Sequence, residues 1–553
     1  MTPISTAVSR SRALPFLALV ASSACATASG TSPRRTSNFD FARLADSIVN
    51  TAPLDRAHIG IEVFDPATGK ILYAHNNERH FVPASNQKLW PTTTALHVLG
   101  PDWRYRTPVL AVGANAETGT AQALVVVGRG DPTFSLRFHS TAADSLADSL
   151  ARGRMDPQRA MREQQRDLAV LDSLADSVVA RGLKHITGDL IVDASYFDDA
   201  IIPGAWTYGN LNGTSAPPTG AFIVGEGVFR TLVAPGPMVG APVRVEPMAS
   251  RGVVPVLVRA TTAEAGTPRR IDDSRGPWDD TLRIAGSVGI DAPPQWLRLP
   301  MTDPVRFAAN AFADALRAHG ITIDGSVRIV RDSAEAAAIR EGRLGALALT
   351  ASATAGMMTA ASAPALPVTE LTAWTSPPIG VIVRNILSPS QNWIAEQLLR
   401  TLGAEKRGQG SWRNGLTVEQ EFLFGVVGID SSALRMNDGS GMSPQNLVTP
   451  HAMVQVFNYA RTAPWAPVFR EALARPGARG STLSSRLEGL EERMSGKTGT
   501  LNGVNALSGY VRTRDDRELV FSLISNASGL AAGPVVTALD SLVQALANGR
   551  VPR

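Results

Sequence analysis

The pattern of apolar and polar positions divides the chain into three stretches of different texture. Phe39 to Val49 repeats its apolar residues at helical spacing, and Ile59 to Phe64 and Lys70 to Ala74 alternate as strands around the turn Pro66-Ala-Thr-Gly69. Pro83-Ala-Ser-Asn-Gln-Lys88 then reads as a loop feeding a helix over Leu89 to Leu99 that buries an apolar face. The middle of the chain changes to short strands, among them Ala123 to Val127, Leu190 to Val192, Val243 to Val245 and Thr281 to Ile284, separated by Gly/Pro-rich turns. From about Trp374 long helical patterns return at Asn392 to Leu402 and Pro450 to Arg461. They are followed by strands at Glu492 to Leu501, Ala506 to Arg512 and Glu518 to Ser525, and by a closing helix over Pro534 to Ala547.

Helices flanking an antiparallel sheet drawn from both chain ends predict an α+β fold in which the β-rich middle is inserted into one domain. The expected division is 38–108 with 370–553 for that domain and 109–369 for the accessory insert. Within the insert, Ser145 to Gly153 (SLADSLARG) nearly repeats as Ser173 to Gly182 (SLADSVVARG), and the charge density predicts that one of the two is a surface helix. The uncharged run Leu349 to Val368 is mostly Ala, Ser, Thr, Gly and Met, which suits a linker better than a membrane span.

The N-terminus changes the picture. Arg10 and Arg12 precede an apolar run from Ala13 to Val20 and the small residues Ala21 to Ala24, the order of a secretory signal peptide over 1–25, with 26–37 as a linker. This predicts an exported protein of the periplasm or cell envelope. Cys25 is the only cysteine, so the mature chain can form no internal disulfide and offers no cysteine nucleophile or Cys-based metal site. Its place at the end of the signal admits a lipoprotein reading, although Ser22 stands where such signals usually carry Leu; ordinary cleavage nearby is the other route.

With 553 residues, 44% of them hydrophobic and 18% charged, the chain can bury a large core. The net charge is only +4 and the basic residues are scattered singly, which argues against nucleic acid as a partner. Its eight histidines show no metal-ligand spacing, and Gly128-Arg-Gly130 lacks the helix and dinucleotide context of a phosphate loop, so no metal and no cofactor are expected.

Lysine usage is informative. Only five lysines occur, at 70, 88, 184, 406 and 497, and nearly every other basic position is arginine. A site that must lose a proton near neutrality cannot use arginine, whose guanidinium stays charged, whereas burial can neutralise an ammonium. Lys88 alone has a serine three residues before it, one helical turn away on the same face. A serine hydroxyl needs a base to become a nucleophile, and a deprotonated Lys88 at a helix start would serve Ser85. Taken alone, Ser-x-x-Lys is more often a solvated helix face. Lys497 opens Lys497-Thr-Gly-Thr500 in a strand pattern whose small residues leave an open edge for an extended peptide, with the ammonium placed to hold a carboxylate. Ser390-Gln-Asn392 is the only Ser-x-Asn in the chain and stands at a loop-to-helix junction. The serine there is either an N-cap or a hydroxyl that passes a proton to a leaving amine, with the Asn amide gripping substrate backbone.

Each signal is ambiguous alone, but the order Ser-x-x-Lys, Ser-x-Asn, Lys-Thr-Gly is specific. In these motifs, and in Gly130-Asp-Pro-Thr133, Gly188 to Asp193, Asp438-Gly-Ser-Gly-Met-Ser443 and Ser495 to Tyr510, the chain resembles the D-Ala-D-Ala carboxypeptidase/endopeptidase family of low-molecular-mass penicillin-binding proteins, class C. The resemblance implies a penicillin-binding, serine β-lactamase-like catalytic domain acting on peptidoglycan stem peptides or cross-links, and inhibition by β-lactams. It implies acylation of Ser85, proton handling by Lys88 and Ser390, substrate positioning by Asn392 and Lys497, contact along Thr498, Gly499 and Thr500, and an oxyanion hole from the N–H groups of Ser85 and Thr500. Two other readings of the same motifs are a serine β-lactamase or esterase and a non-catalytic wall-binding protein. Three features depart from the family pattern: Pro91 inside the nucleophile helix, Val224-Gly-Glu-Gly227 in place of an Asn-containing turn, and an additional segment around Met155 to Asp167.

Overall fold

A computed structural model describes residues 41–52, 54–139, 168–211, 213–247, 254–275, 279, 281–344 and 365–549. The signal and linker at 1–37, the first copy of the repeat, the Met155 to Asp167 segment and most of the Leu349 to Val368 run lie outside the described residues.

Helix α1 (Phe41–Asn50) leads into strands β1 (His58–Asp65) and β2 (Lys70–His75). A 3-10 turn over Ala84–Lys88 runs directly into α2 (Leu89–Val98). The inserted region contributes β3 (Arg106–Val112), β4 (Ala123–Val127), α3 (Ala169–Ala180), β5 (Leu190–Asp193), α4 (Pro304–Ala318) and β6 (Val327–Val330), and β7 (Val368–Thr375) returns from it. The chain then forms α5 (Ile379–Leu387), α6 (Asn392–Arg407), α7 (Trp412–Phe422) and α8 (Pro450–Thr462). Strands β8 (Met494–Leu501), β9 (Val504–Arg512) and β10 (Glu518–Asn526) and helix α9 (Ala532–Asn548) close it.

The central sheet has the order β2-β1-β10-β9-β8 and is antiparallel throughout, so the two chain ends meet where β1 pairs with β10. Side chains alternate between its faces. Ile59, Ile61 and Val63 with Leu507, Val511, Leu519, Phe521 and Leu523 pack against α1 and α9. Ala506, Tyr510, Val520 and Ile524 point to the opposite side and join the core of the helices, where the Tyr510 hydroxyl donates to the Phe457 carbonyl at 2.6 Å. Both faces are covered, so β9 is buried from Val504 to Val511 and β10 from Leu519 to Ser525 whichever way the side chains point. Strand β8 is an edge strand, and the pair Lys497 with Ser508 places the lysine on the helix side of the sheet.

The insert has its own five-stranded sheet, β6-β5-β4-β3-β7, in which β3 pairs with β4 and β7, and smaller sheets beyond it. Strands β3 and β7 are thus antiparallel neighbours astride the residues where the chain passes into and out of the insert. The second copy of the repeat is helix α3, which is not merely a surface element: Val170, Leu171, Leu174, Ala175 and Val178 are buried. Pro91 falls in the first turn of α2, where a backbone N–H has no partner within the helix, so the proline does not interrupt it.

Candidate active site

The 3-10 turn is held on several sides. Ala84 adopts a left-handed φ of 47°, the Asn86 amide donates to Ser508 Oγ at 2.9 Å, and the Gln87 amide donates to the Asp438 carbonyl at 3.1 Å. In this setting Ser85 stays partly exposed while Lys88 is fully buried.

Lys88 Nζ lies 2.7 Å from Ser85 Oγ, 2.6 Å from Asn392 Oδ1 and 2.6 Å from the Ser440 carbonyl oxygen. The Asn392 amide is fixed in this sense because its Nδ2 donates to the Ser215 carbonyl at 2.7 Å. Two of the three neighbours are therefore pure acceptors. A neutral amine has two N–H bonds for them and a lone pair left for the Ser85 hydroxyl proton. Burial lowers the Lys88 pKa to about 7, against the opposing pull of the Asp438 and Glu396 carboxylates.

Lys497 Nζ donates to Ser390 Oγ at 2.8 Å and to the Thr498 carbonyl at 2.7 Å. Burial holds its pKa well below the ordinary lysine value, and the charge of Lys88 lowers it further. Thr498 Oγ1 donates to Thr482 Oγ1 at 2.8 Å. Gly496 exchanges backbone hydrogen bonds with Ala474 across the outer edge of β8, so the alternation of the strand turns the Thr498 and Thr500 backbone groups outward as well. Gly499 packs against the nucleophile turn: a Cβ there would lie 2.7 Å from the Pro83 carbonyl oxygen and 3.1 Å from the Ser85 nitrogen. The structure thus brings Ser85, Lys88, Ser390, Asn392, Lys497 and the 498–500 edge to one place.

Several residues that touch this place were given no role from sequence. Ser440 supplies an acceptor for Lys88, and its carbonyl is aimed by Glu396, whose carboxyl oxygens accept from the backbone N–H of Gly439 at 3.1 Å and of Ser440 at 2.8 Å, and from Trp412 Nε1 at 2.7 Å. Asp438 accepts from Trp206 Nε1, the Gly441 and Ser443 amides and Asn446, at 2.7 to 2.9 Å. The available signal was a glutamate in the buried face of Trp393-Ile-Ala-Glu396 and the Asp-Gly-Ser-Gly turn, which spacing alone does not connect to a lysine. The Val224 to Gly227 turn does reach the site, because Gln391 donates to Glu226.

Behind this network Glu419 on α7 is fully buried, and neither carboxyl oxygen has a hydrogen-bond partner among the described residues. Burial, then the charges of Glu396 and Asp438, raise its pKa well above the carboxylate range. A raised folded-state pKa contributes stability below the unfolded value and loses it as pH rises through the folded one. Glu419→Met is therefore expected to unfold at higher temperature than the parent at pH 7.5, by about 1–3 kcal/mol of stability, with the gain shrinking toward pH 4.5. Calorimetry across that range checks it, and a gain independent of pH would refute the assignment.

Residues 42–343 and 336–547 match the model of the D-Ala-D-Ala carboxypeptidase 3 (S13) family. The chain belongs to this family. A D-alanyl-D-alanine carboxypeptidase of Actinomadura sp. (strain R39) is 31% identical over 545 residues, which is 96% of this chain and 87% of that one. The D-alanyl-D-alanine carboxypeptidase DacB of Haemophilus influenzae is 22% identical over 82% of each chain. The crystal structure of penicillin binding protein 4 (dacB) from H. influenzae superposes with a TM-score of 0.70 at 20% identity, covering 91% of this chain and 99% of that one. The chain is accordingly an enzyme of a D-Ala-D-Ala carboxypeptidase family with the expected α+β, penicillin-binding fold.

Proposed function

We propose that this S13-family enzyme cleaves the terminal D-Ala, or a D-Ala-containing cross-link, of peptidoglycan peptides through an ester on Ser85. Lys88 takes the hydroxyl proton as Ser85 Oγ bonds to the carbonyl carbon of the penultimate D-alanine. The oxygen that becomes negative is met by the N–H groups of Ser85 and Thr500. As the C–N bond breaks, the proton passes from Lys88 to Ser390 and on to the leaving amine, and water then hydrolyses the ester. Asn392 and the outward groups of Thr498 and Thr500 align the peptide backbone. The C-terminal carboxylate lies against Lys497, where its charge draws the lysine back to the ammonium form.

The observation that carries this reading is the buried Lys88 amine 2.7 Å from a partly exposed serine. In brief exposure to a fluorescent penicillin, the parent protein is expected to be labelled and Ser85→Ala not at all; labelling of the variant would overturn the assignment. A chase then separates the rivals: a slowly lost adduct and D-alanine release from a pentapeptide support the carboxypeptidase, while rapid loss of label supports a β-lactamase or esterase.

The division into a catalytic domain (38–108 with 370–553) and an insert (109–369) is part of the same proposal, supported by the pairing of β1 with β10 across the whole insert. So is export to the periplasm or cell envelope on the signal at 1–25. Intact-mass measurement of the mature N-terminus distinguishes simple cleavage from acylation of Cys25.

A further inference from the structure

The proton route just described requires the Ser390 hydroxyl to be held in one place, yet Ser390 has a left-handed φ of 63°, a conformation that an L-residue other than Asn or Asp seldom keeps unless its surroundings impose it. The residue that follows is the best-anchored part of this loop. The Gln391 backbone N–H donates to the Ile386 carbonyl at 3.0 Å, and its side-chain Oε1 accepts from the Trp393 N–H at 2.7 Å, capping α6. Its remaining group, Nε2, donates to Glu226.

Glu226 comes from the insert, far away in sequence, and is itself tightly built in. It is only 7% exposed, stands at a φ of 61° between two glycines, and its carboxylate accepts from Arg137 Nε at 2.7 Å, Arg137 Nη2 at 3.3 Å and Ser135 Oγ at 3.0 Å. Burial alone would raise its pKa, but the charge and hydrogen bonds of Arg137 outweigh burial and hold it at about 2, so an anion faces Gln391 at neutral pH. The neighbouring Gly227 lies against the start of α6, where Trp393 Nε1 donates to the Pro218 carbonyl at 3.0 Å. Two left-handed residues, one in the insert and one in the second motif, are thus joined through a single side chain.

We propose that Glu226 is a positioning residue: through Gln391 it fixes the backbone that aims the Ser390 hydroxyl at Lys497, so that the insert helps set the geometry of proton delivery. The proposal rests on the reading of Ser390 as a proton carrier. It goes beyond that reading in making the middle residue of the motif, and a carboxylate outside the catalytic sheet, part of the rate.

Charge exchange tests it. In Gln391→Glu two carboxylates face each other, and in Glu226→Gln the amide oxygen stays with Arg137 Nε and Ser135 Oγ and leaves its NH2 facing that of Gln391, whereas the double variant E226Q/Q391E restores a donor opposite an acceptor while still capping α6. Each single variant is expected to be acylated by fluorescent penicillin about 10–100-fold more slowly, with an unfolding temperature close to the parent's. The double variant is expected to regain most of the rate. Unchanged acylation in both single variants overturns the proposal, as does a loss that follows the unfolding temperature and is not recovered in the double variant. Ser390→Ala, measured alongside, keeps the two claims apart. If it is acylated and releases D-alanine normally, the reading of Ser390 fails. If it is impaired while the charge-exchange set is not, only the role of Glu226 fails.

Discussion

Replacing Lys88 with arginine is expected to slow acylation of Ser85 by about 10²–10⁴-fold, the contribution of a well-placed general base. Arginine is still a basic side chain of at least the length of lysine, but it stays charged and has no lone pair to take the hydroxyl proton at any accessible pH. In the parent, the amine is placed by two carbonyl acceptors, Asn392 Oδ1 and Ser440 O, which leaves the third direction for Ser85. Since burial brings the Lys88 pKa down to about 7, the acylation rate should climb as pH rises through that value, roughly tenfold per unit on the acid side, and level off above it. A Lys88→Met variant, which buries no charge, separates loss of the base from damage to the fold. It should lose acylation just as severely while its unfolding temperature holds. Rapid labelling of either variant, or a flat pH profile in the parent, would place the base elsewhere.

The role of Glu396 shows why part of this site could be read in the sequence and part could not. Motifs in which a reactive group and its partner are close in the chain, such as Ser85 with Lys88, carry their geometry in their spacing. The scarcity of lysine singled out Lys497 in the same way. The strands at both chain ends were legible because alternation and turn residues coincide there, and their observed limits, such as Met494–Leu501 for an expected start at Glu492, differ by a residue or two. Helix α4 in the insert went unread although Asp303 caps it at Arg306 N and Pro304 opens it, because the surrounding Gly/Pro-rich turns gave the whole region the look of short strands. Ser440 meets Lys88 with its backbone carbonyl, Glu396 holds the backbone N–H groups of Gly439 and Ser440, and Glu226 reaches Gln391 from 165 residues away, and backbone groups are ones that nearly any residue type can provide. Nothing in composition or spacing marks a carbonyl that happens to face a lysine.

Gly499→Ala is the second change with a large expected effect, and it tests the closeness of the edge strand to the nucleophile turn. The added methyl would sit 2.7 Å from the Pro83 carbonyl oxygen and 3.1 Å from the Ser85 nitrogen, both backbone atoms that cannot swing aside like a side-chain tip. The turn resists on its own account, since Asn86 is tied to Ser508, Gln87 to the Asp438 carbonyl, and Ala84 is already held at a left-handed φ. Strand β8 is the easier part to displace because it has a strand neighbour on one side only. Its movement would carry the Thr500 N–H away from the Ser85 N–H and separate the two donors proposed to meet the developing oxyanion. Loss of one such donor costs about 100–1,000-fold in rate, so acylation and D-alanine release should both fall by that factor. The central sheet, whose interior pairings β1 with β10 and β9 with β10 do not involve this glycine, should stay folded. A variant that is folded and acylates at the parent's rate would show that β8 does not supply the second donor.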